Sequence, residues 1–80
     1  MERVYSELVG AFAQVLVRAR AEAKLSQEKL AERANISTRY VSYLETGERQ
    51  PTLTILRAVS LGLGLPMSEL LARVETALKR

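Results

Sequence analysis

The 80-residue chain contains no cysteine, no histidine and no aspartate. Without cysteine, neither a disulfide framework nor a thiolate metal site can form. Without histidine and aspartate, most metal ligands are missing, as is every catalytic triad or dyad that needs either residue. We therefore expect a protein that is not an enzyme, with no catalytic residues, no metal, no cofactor and no small-molecule substrate.

Long apolar runs are also missing. No segment approaches the roughly 18 consecutive apolar residues that a membrane span requires. The N-terminal segment MERVYSELVG carries Glu2 and Glu7, and it lacks the basic start and apolar core of a signal peptide. We therefore expect a cytoplasmic protein without a membrane partner.

Aromatic residues are few, with three tyrosines and one phenylalanine, although 48% of the residues are hydrophobic. Such a composition, rich in leucine, alanine and valine, favours a compact helical bundle over a disordered segment. The length predicts a single domain over residues 1–80 that can form its own core. The net charge of +3 suits an anionic partner, but an ordinary soluble surface explains it equally well.

Apolar spacing and capping residues predict five helices. The first covers residues 6–23, with a start as early as Val4 as the alternative, and its inner face is formed by Val9, Phe12, Leu16, Ala19 and Ala23. The second, QEKLAERA, follows Ser26 as N-cap and turns Leu30, Ala31 and Ala34 inward. The third, TRYVSYLE, turns Val41 and Leu44 inward and ends at Gly47.

The last two helices are predicted between residues 52 and 80. Thr52 caps a fourth helix that carries Leu53, Leu56, Val59 and Leu63 and ends at Gly64. Pro66 takes the first position of a fifth helix that runs toward Arg80. Five short helices with short connections indicate an all-α domain.

The second and third helices are separated only by Asn35, Ile36 and Ser37. Asn35 tolerates the left-handed conformation that a sharp turn requires, Ile36 can enter the core, and Ser37 can cap the next helix. Ala31 is small where the two helices would cross. Together these residues predict a helix-turn-helix over about residues 26–46.

The segment LSQEKLAERANISTRYVSYLETGERQP resembles the helix-turn-helix of the phage-repressor and Cro family, also called the XRE family. The flanking segments RAEAKLSQ and PTLTILRAVSLGLGLPMSELL match the family's other helices, so the resemblance covers about residues 9–72. It implies a compact five-helix, lambda-repressor-like fold. Lys24 and Asn35 stand where the family often has glycine. A left-handed Lys24 would cost on the order of 1 kcal/mol, unless the first helix ends differently.

The resemblance implies that the third helix lies in the major groove of double-stranded DNA. The implied base contacts are Thr38, Arg39, Ser42 and Tyr43, and the implied contacts to the DNA backbone are Gln27, Ser37, Tyr40, Arg49 and Thr52. Arg39 can donate two hydrogen bonds to guanine, with a phosphate contact or simple solvation as the alternative. Packing in the protein is the alternative for Tyr40 and Tyr43.

Two charged residues match a structural position pair of the family. The resemblance implies that Arg20 and Glu45 form a buried ion pair between the first and third helices. Residues 24–50 hold five basic and four acidic side chains, a net charge of +1. We therefore expect weak non-specific affinity for DNA.

The predicted fifth helix carries a broader apolar stripe than is needed to cover the four other short helices, and further apolar positions lie around the fourth helix. We expect a homodimer interface formed by Ile55, Leu61, Leu65, Met67, Leu71, Val74 and Leu78, with a fuller monomer core as the alternative. Such a dimer predicts an autoregulatory transcription regulator on a palindromic operator, either a small repressor or a restriction–modification controller. The alternatives are an antitoxin-type regulator and a protein-interaction module that uses the fifth helix.

Overall fold

In the computed structural model, the backbone is described for residues 2–79 and the side chains for residues 7–79. The described residues form five α-helices: α1 Glu2–Glu22, α2 Gln27–Ala34, α3 Thr38–Thr46, α4 Leu53–Leu63 and α5 Met67–Leu78. The predicted five-helix, all-α fold is thus confirmed. The end of α5 at Leu78 falls short of Arg80, which lies outside the described residues.

Two predicted helix starts differ from the structure. The backbone of α1 is helical from Glu2, four residues before Ser6 and two before Val4, the earliest predicted start. Pro66 has an extended backbone, with ψ of 150°, so it is the N-cap of α5 and not its first helical residue. Because proline fixes φ but not ψ, its ring is compatible with both the N-cap and the first helical position.

The core receives at least one large side chain from each helix. Side chains with no measurable exposure are Leu16, Leu30, Val41, Leu44, Val59 and Leu70. In this arrangement α1 packs against α3 and α5, while α2 packs against α3 and α4. Each such burial contributes about 1.5–3 kcal/mol. Because α3 is held through Val41 and Leu44, its opposite face remains available.

Three of the helices end in the same way. Lys24, Asn35 and Gly64 adopt left-handed conformations, with φ of 60°, 58° and 76° after α1, α2 and α4 respectively. The next residue donates its N–H to a carbonyl five positions back: Leu25 to Arg20, Ile36 to Ala31 and Leu65 to Ser60, at 2.9–3.1 Å. Those three apolar side chains pack against the core, which completes a Schellman motif at each end.

One predicted inward position is wrong, and one apolar residue of α4 is exposed. Ala23 lies beyond the end of α1 and is exposed, because the chain has already begun to turn there. Leu53 is 74% exposed, because the first residue of α4 faces away from the core. None of the described helices alone is long and apolar enough to cross a membrane; only α4 and α5 taken together pass on length and composition, and they are bent by 101°.

Candidate nucleic-acid interface

The turn before α3 has the predicted construction. Asn35 is left-handed, and its N–H and that of Ile36 bond to carbonyls in the last turn of α2. The Ser37 hydroxyl accepts a hydrogen bond from the Tyr40 N–H at 3.0 Å. Ser37 therefore serves as N-cap of α3, and this bond fixes the direction in which α3 leaves the turn.

The outer face of α3 carries the residues that were predicted to contact bases. Arg39 is exposed, and Thr38, Ser42 and Tyr43 are half-buried. Arg39 has no ion-pair partner among the side chains that the structure describes. Its guanidinium can therefore donate hydrogen bonds outward as a planar fork.

Tyr40 occupies an intermediate position. Its side chain is half-buried and packs against the core. This agrees with the alternative interpretation of Tyr40, which was packing within the protein. A tyrosine can bury its ring and still present its hydroxyl at the surface. The predicted backbone contact therefore remains a proposal that concerns the hydroxyl alone.

Arg20 and Glu45 form an ion pair that joins α1 to α3. Arg20 donates from Nε and Nη2 to the two carboxylate oxygens of Glu45, and from Nη1 to the Leu25 carbonyl at 2.9 Å. The Glu45 side chain is only 6% exposed and that of Arg20 is 20% exposed. The hydrogen bond with Glu45 raises the pKa of Arg20 above its ordinary value, although burial opposes this effect. Both partners are therefore used inside the protein.

Gln27, the first residue of α2, is tied to the same carboxylate. Its Nε2 donates to Glu45 Oε1 at 2.9 Å. A carboxylate only accepts hydrogen bonds, so this contact fixes the orientation of the Gln27 amide and leaves one N–H for an outside acceptor. The spacing in the sequence gave no sign of this contact, which joins residues 18 positions apart.

The loop after α3 brings two further candidate residues together. The Arg49 guanidinium carbon lies 5.3 Å from the centroid of the Tyr43 ring. Arg49 is exposed and Tyr43 is half-buried beneath it. At the end of this loop, the Thr52 hydroxyl accepts the Ile55 N–H at 3.1 Å and caps α4. The sequence had suggested separate roles for Tyr43 and Arg49.

The predicted dimer residues divide into three groups. Leu61, Leu71 and Leu78 are 63%, 41% and 44% exposed. Ile55, Leu65 and Met67 are half-buried against the core. Val74 is only 2% exposed, because it lies one turn after Leu70 on the core-facing side of α5. Val74 therefore supports the monomer core and is not available to a partner. Leu53, the first residue of α4, is the most exposed of the large apolar side chains described.

Comparison with known proteins gives matches over most of the chain. A family model described as helix-turn-helix matches residues 16–70. The immunity repressor protein of Bacillus phage phi105 is 40% identical over 60 residues, which are 75% of this chain and 41% of that protein. The chain thus spans less than half the length of this relative.

Two restriction–modification controllers are also similar. The control protein C.MunI of Mycoplasma sp is 39% identical over 51 residues, which are 64% of this chain and 69% of that protein. Among solved structures, the restriction–modification controller protein C.AhdI from Aeromonas hydrophila superposes with a TM-score of 0.75 at 31% identity. That match covers 78% of this chain and 94% of the other.

Proposed function

Because this chain belongs to the XRE-type helix-turn-helix family, we propose that it is a sequence-specific DNA-binding transcriptional regulator. The observation that carries this proposal is the geometry of α3. Its inner face is fixed by Val41 and Leu44, while its outer face presents the exposed Arg39, which forms no ion pair with any of the described side chains. A helix that is anchored on one side and polar on the other can enter the major groove without a change in the fold.

Thr38, Arg39, Ser42 and Tyr43 are the proposed residues on the base-facing side. Arg39 can donate to O6 and N7 of one guanine, and Thr38 can contact a thymine methyl group or a base edge. Such contacts specify sequence, whereas contacts to phosphates set the position of the protein on the duplex.

The proposed contacts to the DNA backbone lie at helix N-termini and in the loop after α3. Gln27 has one amide N–H left, and Arg49 carries an exposed positive charge. The hydroxyls of Ser37 and Thr52 already accept backbone N–H groups as caps, so each retains its own O–H for a phosphate oxygen. Free N–H groups at a helix start also attract anions.

The charge of this surface supports modest affinity. Glu45 is held by Arg20 and Gln27, so it presents little charge outward. On α2, Lys29 pairs with Glu32 at 2.9 Å. The exposed basic residues of α3 and the loop that follows it are Arg39 and Arg49. Two such charges favour phosphate contact but predict weak binding to DNA of arbitrary sequence.

We also propose that the protein is a homodimer. Leu71 and Leu78 are exposed two turns apart on one face of α5, and Leu61 is exposed on α4. Exposed apolar side chains that share one helix face are typical of interaction sites. A two-fold axis would place two copies of α3 about 34 Å apart, in successive major grooves of a palindromic operator. An operator upstream of the protein's own gene would make the regulator autoregulatory.

The first test is selection of duplexes from a random pool, followed by footprinting of the region upstream of the gene. We expect one enriched palindrome and protection of two half-sites about one helical turn apart. If no duplex is enriched, and the protein instead captures a specific protein partner through α5, the regulator proposal is wrong and the interaction module takes its place.

The second test concerns Arg39. Arg39→Ala should relax discrimination at one base position by about 1–3 kcal/mol. Arg18→Ala is a matched control, since it removes one exposed arginine from α1. A loss that is equal for all sequences would identify Arg39 as a phosphate contact and would overturn its proposed role in specificity.

A further inference from the structure

The loop that follows α3 is folded back onto Tyr43. The Tyr43 carbonyl oxygen accepts the N–H groups of Gly47, Glu48 and Arg49, the last two at 2.9 and 3.3 Å. The Thr46 hydroxyl oxygen also lies 3.3 Å from this carbonyl oxygen. These hydrogen bonds to one carbonyl oxygen fold the start of the loop back toward Tyr43. The Arg49 side chain then lies over the ring of the same tyrosine.

The Arg49 guanidinium is held by this ring and not by a carboxylate. Its carbon is 5.3 Å from the ring centroid, within the distance at which a cation is attracted to an aromatic face. The neighbouring Glu48 carboxylate instead accepts the Thr46 hydroxyl at 3.0 Å. Among the described side chains, Arg49 forms no ion pair.

Whether a carboxylate or an aromatic ring contacts the Arg49 guanidinium affects how well the arginine can bind an anion. A carboxylate partner would neutralise the guanidinium and would compete with a phosphate for its N–H groups. An aromatic ring restricts the rotamers of the arginine but leaves both its charge and its N–H edge available. Ordering the side chain before binding lowers the entropy that is lost when the contact forms.

We propose that Tyr43 is a positioning residue, whose ring orders Arg49 for contact with a DNA phosphate beside the bases that α3 reads. This role presupposes the DNA binding proposed above, and it moves Tyr43 from the base contacts to the support of a backbone contact. The phenol hydroxyl is not needed for it. The aromatic face and the guanidinium of Arg49 are both needed.

A double-mutant cycle tests this role. Wild type, Tyr43→Leu, Arg49→Ala and the double variant are titrated against the selected operator and against a 30-base-pair duplex of mixed sequence. Loss of the ring should weaken binding to both duplexes by about two- to fivefold, the range expected for an exposed cation–π contact. Once Arg49 is alanine, Tyr43→Leu should cause no further loss.

Three comparisons separate positioning from a direct contact. Tyr43→Phe keeps the ring and should keep the coupling to Arg49. Arg49→Ala should lower the slope of log affinity against log salt by about 1, as expected for one phosphate contact. Arg18→Ala should leave that slope unchanged. If Tyr43→Leu instead alters the preference at a single base, or weakens binding equally in the Arg49→Ala background, Tyr43 is a direct contact and the positioning role is wrong.

A measurement on the wild-type protein does not depend on the folding of any variant. The Tyr43 ring current should shift the side-chain protons of Arg49 upfield in the NMR spectrum of the DNA-free protein. Random-coil shifts for Arg49 would overturn the inference. A wild type that binds no duplex would overturn the proposed function itself, whereas wild-type binding together with an unaffected Tyr43→Leu would overturn only the role of Tyr43.

Discussion

The turn between α2 and α3 and the turn between α4 and α5 have the same backbone construction but serve different surfaces. Each contains three residues, 35–37 and 64–66. Each begins with a left-handed residue, Asn35 or Gly64, and continues with an apolar residue whose N–H closes a Schellman motif. The third residue is an N-cap in both cases, Ser37 or Pro66.

The surfaces that follow the two turns are opposite in chemistry. After the first turn, α3 exposes Arg39 and half-buries polar neighbours. After the second, α5 exposes Leu71 and Leu78. The turn therefore fixes only the direction of the next helix. Whether that helix suits DNA or a second protein surface depends on which side chains face outward.

The two helices are also anchored differently. The α3 helix is joined to α1 through the Arg20–Glu45 ion pair, in addition to its buried Val41 and Leu44. The α5 helix is anchored chiefly by the apolar Leu70 and Val74, and its ion pair to α1, between Arg73 and Glu22, is far more exposed than that of α3. An ion pair of low exposure depends on both partners, because a single remaining charge is poorly solvated.

The largest expected effect follows from this anchor. Glu45→Ala removes the partner of Arg20 and the acceptor of Gln27, and should lower the free energy of unfolding by about 3–5 kcal/mol. Urea denaturation measures this change. Glu48→Ala is the matched control, because it also removes one glutamate but from an exposed position. If both variants unfold at the same urea concentration as wild type, the ion pair does not stabilise α3.

The next prediction concerns the apolar surface of α5. Leu71→Glu should raise the dissociation constant of the dimer at least about 30-fold, equivalent to about 2 kcal/mol, while the monomer stays folded. The monomer should stay folded because Leu71 is already 41% exposed in it, so a glutamate at this position is not buried. Sedimentation equilibrium measures the association, and circular dichroism monitors the fold. Glu75→Gln on the same helix is the control for altered charge.

Val74 lies within one helix turn of Leu71 but is buried, so a substitution there should have a different effect. A charge at this buried position should unfold the monomer, so loss of the dimer in Val74→Glu carries no information on the interface. A Leu71→Glu variant that sediments as a dimer of unchanged strength would remove α5 from the interface.

The third prediction exchanges the left-handed residues of the turns. A Cβ at Gly64 meets no atom within 4 Å, so only backbone strain opposes a side chain there. Gly64→Ala should cost about 1 kcal/mol and Gly64→Asn less, because asparagine tolerates this conformation. Lys24→Gly should add about 0.5–1 kcal/mol of stability, since Lys24 has φ of 60°. Thermal unfolding measures all three. Equal stability of Gly64→Ala and Gly64→Asn would contradict the assignment of strain.

Helix ends and helix starts could be predicted from the sequence because their determinants are local. Ser26, Ser37 and Thr52 cap the helices that follow them, and Asn35 and Gly47 are left-handed as expected. Pro66 was misplaced by one position, because its fixed φ suits both an N-cap and a first helical residue.

Contacts between side chains that are distant in sequence could not be predicted in the same way. The bond from Gln27 to Glu45 depends on rotamers at two helices, and the stacking of Arg49 on Tyr43 depends on the path of a loop. The apolar stripe of α5 was too wide to separate Val74 from Leu71. The packing of α5 against α1 and α4 decides which of them is covered.

The smallest expected effect concerns the surface ion pairs of α2 and α5. On α2, the hydrogen bond from Lys29 lowers the pKa of Glu32 below its ordinary value of 4.5. On α5, Arg73 contacts Glu22 and Glu69, which raise the pKa of the arginine. Exposed pairs of this kind contribute little to stability and are screened by salt.

The sign of the Glu32 effect follows from the direction of its pKa shift. Because the folded-state pKa is lowered, the pair stabilises the fold above pH 4.5, and this contribution is lost as the pH falls through the lowered pKa. An NMR titration of the Glu32 carboxyl carbon should therefore give a midpoint below 4.5, and Lys29→Ala should bring the midpoint back toward that value. If Lys29→Ala leaves the Glu32 midpoint in place, the 2.9 Å contact is not maintained in solution, and the outer side of α2 carries one more unpaired positive charge beside the proposed DNA surface.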